Sequence, residues 1–266
     1  MAGRLEGKVA IVVGGGQTPG DTIGNGRATA ITFAREGARV LVVDRRIESA
    51  DDTVTMIQSE GGEAASYETD ATSENDCKEM VAACSKAFGR LDILHNNVGV
   101  AEGDSGPAHI TEETWDRILN VNLKSVVMPC KAALPVMREQ RSGSIINISS
   151  IAAICSLPLI AYKTSKAGIN AYTQALAVGN AKHGIRANVI MPGLMNTPMA
   201  IEGNVKSRGI AKEQVISERD AMVPLNREMG TGWDVAFAAL FLASDEAKFV
   251  SGVMLPVDGA HSAQVG

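Results

Sequence analysis

The chain lacks a long hydrophobic run and any concentration of basic residues. Apolar residues make up 45% of its 266 positions but occur in short stretches, so we expect no transmembrane span and no signal peptide. The formal net charge is −5, whereas proteins that bind nucleic acid or anionic membranes present positive charge to the phosphates. We therefore expect neither a nucleic acid nor a membrane as a partner.

The chain also lacks the spacings that mark disulfide frameworks and metal sites. No two of its four cysteines form a CxxC pair, and its four histidines are scattered. Cysteines without such spacing are typical of small apolar residues in a reducing compartment, here taken as the cytoplasm. We expect no metal site. The residues concerned are Cys77, Cys84, Cys130, Cys155, His95, His109, His183 and His261.

Short apolar runs alternate with longer amphipathic stretches, which is typical of βαβ units around a parallel sheet. Several runs are almost entirely apolar, as strands buried on both faces should be. This pattern, without repeats or linkers, predicts one domain over residues 1–266. The predicted strands are 9–13, 39–43, 64–68, 91–95, 144–149, 186–191 and 253–257, and the predicted helices lie near 26–36, 48–60, 73–88, 111–138, 161–182 and 231–243.

Residues 194–230 interrupt this alternation. Long insertions in compact α/β units are often lids or binding loops. An ordinary pair of surface helices explains the same pattern equally well. We state a substrate lid at about 194–230 as the expectation to test.

Glycines crowd the segment between the first predicted strand and the first predicted helix. Gly14, Gly15 and Gly16 follow the strand, and Gly24-Asn25-Gly26 opens the helix. Glycines allow the backbone to approach a pyrophosphate, while the helix N-terminus supplies N–H groups and a favourable dipole. Their place between strand and helix makes the pattern more specific than glycine content alone. It predicts a dinucleotide site.

Asp44 at the end of the second predicted strand bears on the choice of dinucleotide. A carboxylate here accepts hydrogen bonds from the adenosine ribose hydroxyls and repels a 2′-phosphate. NAD is therefore favoured over NADP. Arg45 and Arg46 follow immediately and could hold a phosphate, so NADP stays open as the second choice.

Tyr162 and Lys166 lie four residues apart in a predicted helix, so that their side chains share one face. A fixed cation favours the phenolate and should lower the pKa of Tyr162. The Ser150 hydroxyl could hold an alcohol or carbonyl oxygen in front of the phenol. A lone YxxxK is more often an exposed aromatic and a solvated lysine, but the dinucleotide site provides a hydride acceptor. The set predicts proton transfer in alcohol/ketone chemistry.

These motifs, in this order, resemble the classical short-chain dehydrogenase/reductase family from about Leu5 to Gly259. Asn96-Asn97-Val98-Gly99, Val121-Asn122-Leu123 and Val257-Asp258-Gly259 extend the likeness. The resemblance implies a doubly wound Rossmann fold, with a single parallel seven-stranded sheet flanked by helices on both faces. It implies the catalytic residues Asn122, Ser150, Tyr162 and Lys166. The cofactor contacts it implies are Gly14, Gly16, Gly24, Asn25, Gly26, Asp44, Arg45, Asp70, Ala71, Asn97, Gly99, Tyr162, Lys166, Pro192, Gly193 and Thr197.

The function implied is NAD(H)-dependent interconversion of a secondary alcohol and a ketone, in a homotetramer. Tyr162 would act as general acid and base, and Lys166 would lower its pKa and bind the nicotinamide ribose. Ser150 would polarise the substrate oxygen, and Asn122 would hold a water that links Lys166 to solvent. A 3-oxoacyl thioester reductase shares these motifs. The competing class of function is an inactive NAD-binding scaffold or sensor.

Two departures from the family pattern concern the glycine-rich turn and the catalytic serine. Gly14 and Gly24 are ten residues apart, which suggests an insertion of about six residues around Gln17–Ile23. The inserted loop could bulge over the adenosine or toward a neighbouring subunit, and Asn25 replaces an aliphatic residue. Ser150 precedes Tyr162 by twelve residues where thirteen are commoner, so Ser149 competes with Ser150. We expect Ser150.

The segments expected to line the substrate pocket are mostly uncharged. They predict a neutral, partly apolar substrate, although the charged residues nearby could reverse this inference. The uncharged set is Cys155, Leu157, Pro158, Leu159, Ile160, Leu194 and Met195, and the charged set is Glu102, Asp104, Arg208 and Arg219.

Overall fold

A computed structural model describes residues 3–156 and 158–264. Its sheet has seven parallel strands in the order β3-β2-β1-β4-β5-β6-β7. The predicted seven-stranded parallel sheet is confirmed. The strands are β1 (Val9–Val13), β2 (Arg39–Asp44), β3 (Ala64–Glu68), β4 (Ile93–Asn96), β5 (Gly143–Ile148), β6 (Ile185–Pro192) and β7 (Met254–Val257).

Helices cover both faces of the sheet because successive strand residues point to opposite sides. Ala10 and Val12 of β1 pack in one apolar core with α1, α2 and α9, and Ile11 packs in the other with α3, α5 and α6. Each fully buried aliphatic side chain contributes roughly 1.5–3 kcal/mol. The doubly wound prediction is therefore confirmed. The helices are α1 (Asn25–Arg35), α2 (Ile47–Ser59), α3 (Glu74–Phe88), α4 (Glu112–Leu119), α5 (Ser125–Gln140), α6 (Ile160–Asn180), α7 (Pro198–Arg208), α8 (Lys212–Ala221) and α9 (Gly232–Ala243).

The helical stretch predicted near 111–138 is helical from Glu112 to Gln140, but it is not one regular α-helix. A π-helical turn at Asn120–Lys124 separates α4 from α5 and contains Asn122. Such a turn adds one residue to the helical repeat, and single π turns are frequent at functional sites. The interruption depends on a change of hydrogen-bond register, which hydrophobic periodicity does not reveal.

The two ends of the segment 194–230 lie next to each other in the structure. The two ends meet in a parallel bridge between Met195 and Gly230, and the Asn196 amide donates to the Gly230 carbonyl at 2.7 Å. Helices α7 and α8 lie between them, with a small apolar cluster of their own around Ile201 and Val215. Met195 packs in the core shared by α1, α2 and α9, whereas the helix pair itself has a separate cluster.

The carboxyl ends of the parallel strands lie along one edge of the sheet. The chain leaves β1 toward β2 on one side and returns to β4 on the other. Ligands of doubly wound sheets bind in the crevice at such a reversal. Within the described part of the chain, no helix is both long and apolar enough to cross a membrane.

Candidate active site

The four predicted catalytic residues come from three segments at this edge. Ser150 lies just beyond β5, Tyr162 and Lys166 lie in the first two turns of α6, and Asn122 lies in the π turn. The structure brings the serine, tyrosine and lysine together at this edge of the sheet.

Lys166 is the buried cation of the site. Its side chain is 2% exposed, and its Nζ donates to the Ile148 carbonyl at 3.0 Å. The same Nζ lies 5.6 Å from the centre of the Tyr162 ring. Burial lowers the pKa of Lys166 to about 8. The ammonium and the phenol therefore share one small site, as the i, i+4 spacing predicts.

The pKa of Tyr162 is raised, so the expectation of a phenol pKa lowered by Lys166 is wrong for the protein alone. Burial of the phenol is the larger influence, and a hydrogen bond with Ser150 acts in the lowering direction. Desolvation disfavours the phenolate more than the neighbouring groups favour it. The hydroxyl is consequently protonated at neutral pH.

The two adjacent serines have different surroundings. Ser149 is 2% exposed, and its hydroxyl donates to the Lys166 carbonyl at 2.9 Å. Ser150 is half-buried, and its Oγ accepts the Ala152 amide at 3.1 Å. The Ser150 hydroxyl faces the Tyr162 phenol, whereas the proton of Ser149 is used inside the fold. The geometry favours Ser150.

Asn122 links the loop after β4 to α6. Its Nδ2 donates to the Val100 carbonyl at 2.9 Å and to Ser165 Oγ at 3.0 Å, and its Oδ1 accepts the Val100 amide at 2.7 Å. Ser165 in turn donates to the Tyr162 carbonyl at 2.7 Å. The Asn122 side chain is therefore committed to the fold, and its backbone carbonyl accepts the Ser125 hydroxyl at 3.5 Å.

The glycine-rich turn packs so closely that side chains are excluded. A β-carbon on Gly26 would lie 1.9 Å from the Gly14 carbonyl oxygen, and Gly14 itself has φ +76°. The Asn97 amide group donates to the same carbonyl at 3.2 Å. The start of α1 is thus pressed against the end of β1 and open at the crevice, an arrangement that fits a pyrophosphate.

The Gln17 side chain binds a backbone N–H group that was expected to contact the phosphate. Its Oε1 accepts the Gly24 amide at 3.0 Å, and its Nε2 donates to the Thr22 carbonyl at 3.3 Å. The predicted ligand Gly24 therefore uses its N–H inside the inserted loop. The neighbouring Asn25 Oδ1 is buried without a hydrogen-bond partner.

The loop at residues 17–23 bends toward helices α7 and α8. Asp21 forms an ion pair with Lys212 of α8 at 2.7 Å, and Lys212 also reaches Glu202 of α7 at 3.0 Å. A β-carbon on Gly20 would lie 2.8 Å from Pro198. The loop therefore connects the glycine-rich turn to this helix pair.

Asp44 is the last residue of β2, at the edge of the sheet where the glycine-rich turn lies. It is half-buried, with Oδ2 accepting the Gly16 amide at 3.2 Å and Oδ1 the Arg46 amide at 3.1 Å. The Arg46 guanidinium donates to the Gln17 carbonyl, and Ser49 Oγ accepts the Gln17 amide at 2.8 Å. Arg45 is exposed. Of the two arginines that could bind a 2′-phosphate near Asp44, Arg46 is engaged by the loop at 17–23.

The remaining predicted cofactor contacts lie at the ends of β3, β4 and β6. Asp70 is exposed and accepts the Thr72 amide at 2.8 Å, beside buried Ala71. A β-carbon on Gly99 would lie 3.2 Å from Lys166 Nζ, and one on Gly193 would lie 2.5 Å from Asp258. Pro192 ends β6, and Thr197, 5% exposed, precedes α7.

Sequence reasoning missed three supporting residues. Lys163 Nζ donates to carbonyls of the turn after Ser150, including that of Ala152 at 3.2 Å. Ser165 joins Asn122 to α6, and Asp104 bonds to the first turn of α6. These contacts join segments distant in sequence, and no local pattern signals them.

Most charges expected near the pocket have partners. Glu102 pairs with Lys206 at 2.8 Å, and Arg208 pairs with Glu218. Arg219 donates weakly to the Met195 carbonyl at 3.5 Å. Leu157 lies outside the described residues. Across residues 3–156 and 158–264, no three His, Cys, Asp or Glu side chains cluster in a way that could hold a metal ion.

Comparison with known proteins identifies the family. A family model described as enoyl-(acyl carrier protein) reductase matches residues 21–261. The chain is 36% identical, over the whole length of both proteins, to 2,5-dichloro-2,5-cyclohexadiene-1,4-diol dehydrogenase of Sphingobium indicum. The protein belongs to the short-chain dehydrogenase/reductase family. It is therefore an oxidoreductase of a family that uses nicotinamide cofactors.

Two further relatives of this short-chain dehydrogenase/reductase differ in what their names describe. A 3-oxoacyl-[acyl-carrier-protein] reductase of Thermotoga maritima is 36% identical over 96% of this chain and 98% of that protein. The crystal structure of NAD⁺-bound xylitol dehydrogenase superposes with a TM-score of 0.87 at 30% identity, covering 96% of this chain and 99% of that one. Alcohol dehydrogenases and ketoreductases are thus both among its relatives.

Proposed function

We propose that the protein is an NAD(H)-dependent oxidoreductase that interconverts a secondary alcohol and a ketone. The observation that carries the proposal is the meeting of the Ser150 hydroxyl, the Tyr162 phenol and the Lys166 ammonium at the crevice. A hydroxyl, an acid and a buried cation in one place suit a reacting oxygen that gains or loses a proton.

The side chains would divide the work around that oxygen. Tyr162 would give its proton to the oxygen in ketone reduction and remove it in alcohol oxidation. Ser150 would donate a hydrogen bond that polarises the oxygen, and Lys166 would stabilise the phenolate. The nicotinamide supplies or accepts the hydride when the cofactor is bound. The Asn122 carbonyl would hold a water that links Lys166 to solvent.

The nucleotide end supports NAD rather than NADP. The Asp44 carboxylate lies where an adenosine ribose hydroxyl would be recognised, and it would repel a 2′-phosphate. Arg46 and Ser49 already bond to Gln17, which leaves them less free to bind that phosphate. Gly14, Gly16, Gly26, Asn97 and their neighbours would hold the pyrophosphate.

We further propose a neutral, partly apolar substrate under a lid formed by residues 194–230. The pairing of Glu102 and Arg208 with opposite charges supports a neutral substrate. A 3-oxoacyl thioester is the second candidate, because a relative carries that activity in its name. An inactive NAD-binding scaffold is the third possibility, and the complete set of four catalytic residues argues against it.

We propose a cytoplasmic homotetramer as the working form. Phe237 and Phe241 of α9 are 59% and 37% exposed, and Met254 on the edge strand β7 is 37% exposed. Apolar side chains on one helix and a neighbouring strand edge suit an interface between subunits. Light scattering after gel filtration would give the mass of four chains, and a monomer at micromolar concentration would contradict this.

One experiment tests the function directly. The protein is incubated with NAD or NADP and a panel of secondary alcohols, while absorbance at ~340 nm reports reduced nicotinamide. In the reverse direction the panel includes ketones and a 3-oxoacyl thioester. We expect turnover with NAD and neutral alcohols, with Asp44→Ala weakening NAD use relative to NADP. Turnover confined to the thioester would favour the second candidate, and no turnover would favour the scaffold.

A further inference from the structure

The first turn of α6 is capped by another loop. The free N–H groups at the start of a helix need acceptors, and Leu159, which precedes α6, has no side chain that could accept them. Asp104 provides the acceptors: its Oδ2 accepts the Tyr162 amide at 2.7 Å, and its Oδ1 accepts the Ala161 amide at 3.3 Å. The Ser105 carbonyl accepts the Ile160 amide at 3.4 Å.

The cap acts on the residue that carries the phenol. The shorter of the two bonds goes to the backbone of Tyr162 itself. The negative charge also lies at the positive end of the helix dipole, where it is favourable. Among the ion pairs of the described residues, none involves Asp104, so the helix start is its electrostatic partner.

The capping loop is itself tied to the catalytic residues. Both backbone groups of Val100 bond to the Asn122 side chain, and Arg117 donates to the Glu102 carbonyl. Asp104 Oδ1 also accepts the Ser105 amide at 2.8 Å. The segment from Val100 to Ser105 therefore joins the π turn to the start of α6 and fixes the distance between them.

We propose that Asp104 is a positioning residue that sets the orientation of Tyr162, an inference that rests on the proposed function. Both of its oxygens accept backbone amides, so it holds the helix and leaves the substrate to Ser150 and Tyr162. Displacing a reacting group by about 1 Å can cost ~10²-fold in rate. Loss of the cap should therefore reduce turnover more than binding.

The test compares Asp104→Ala, Asp104→Asn and Ser73→Ala. Asn is a good capping residue and keeps one acceptor oxygen, so Asp104→Asn should retain most of the kcat that Asp104→Ala loses. Ser73 caps α3 away from the catalytic residues, with its Oγ accepting the Asp76 amide at 3.3 Å, and controls for cap loss in general. We expect Asp104→Ala to lower kcat about 10- to 100-fold with KM and NADH affinity changed less than ~3-fold. Asp104→Asn should recover most of kcat, and Ser73→Ala should keep it.

Hydrogen exchange gives a readout that is independent of any substrate. Amides at the start of α6 should exchange faster in Asp104→Ala, and those at the start of α3 faster in Ser73→Ala. Unchanged exchange at α6, or wild-type kcat in Asp104→Ala, would overturn the positioning role while the proposed function stands. Absence of turnover by the wild-type protein with every substrate would instead overturn the proposed function.

Discussion

The catalytic centre and the inserted loop are built in contrasting ways. Lys166, Asn122 and Ser149 are buried, and hydrogen bonds to backbone or to other buried groups hold them. The loop at 17–23 reaches helix α8 through an ion pair in which the Asp21 side chain is 89% exposed. Buried hydrogen bonds are costly to break, whereas exposed ion pairs contribute little because solvent screens them. The centre is therefore rigid, and the contact between the loop and α8 can open.

Tyr162→Phe, at the rigid catalytic centre, should have the largest effect on kcat. The change removes the acid/base hydroxyl and keeps the ring, so kcat should fall by about 10²- to 10⁴-fold while NADH binding is kept. Steady-state rates and NADH fluorescence titration measure the two quantities. Tyr67→Phe on β3 is the matched control and should keep wild-type turnover. A near-wild-type rate in Tyr162→Phe would remove Tyr162 from the mechanism.

Gly26→Ala tests the rigid packing at the cofactor end. The new methyl group would lie 1.9 Å from the Gly14 carbonyl oxygen, which is backbone, and 2.7 Å from the Asn97 side-chain amide. We expect NADH affinity to fall by an order of magnitude or more, together with a lower melting temperature. Gly179→Ala in α6 is the control, because nothing lies within 4 Å of its added carbon. Alanine there should be neutral or stabilising. Unchanged NADH affinity in Gly26→Ala would show that the backbone of the glycine-rich turn can shift to accommodate the methyl group.

The pH dependence of the two directions tests the environment of the catalytic centre. Oxidation needs the deprotonated phenol, and burial raises the pKa of Tyr162. The oxidation rate at saturating substrate should therefore rise from neutral to alkaline pH, by up to ~10-fold per unit below that pKa. Ketone reduction, which needs the protonated phenol, should fall over the same range. Flat profiles in both directions would count against acid/base catalysis by Tyr162.

Asp21→Asn should have the smallest effect, because it removes only the exposed ion pair between the loop at 17–23 and Lys212 of α8. NADH dissociation measured by stopped-flow fluorescence should accelerate by at most ~3-fold at low salt. The difference from wild type should vanish at high ionic strength. Asp245→Asn, which breaks an exposed pair with Lys8, should leave dissociation unchanged. A tenfold or greater acceleration in Asp21→Asn would show that the loop is a stronger latch than its exposure indicates.

Some features of the fold and the site can be predicted from local sequence patterns, and others cannot. Strands such as Val9–Val13 are predicted within two residues because all-apolar runs mark buried strands. The positions of Ser150, Tyr162 and Lys166 follow from that order of elements. The π turn at Asn122 and the raised pKa of Tyr162 depend on hydrogen-bond register and burial. Asp104 and the Asp21–Lys212 pair join residues 58 and 191 positions apart, beyond any local pattern.

Deuterium labelling tests most directly whether a hydride passes between the alcohol carbon and the nicotinamide in this site. The best alcohol of the panel is labelled with deuterium on its carbinol carbon and oxidised with NAD, and the reduced cofactor is analysed by NMR. We expect one deuterium at C4 of the nicotinamide, on a single face, because the hydride passes directly between the two carbons. Unlabelled NADH, or label spread over both faces, would contradict direct transfer in this site.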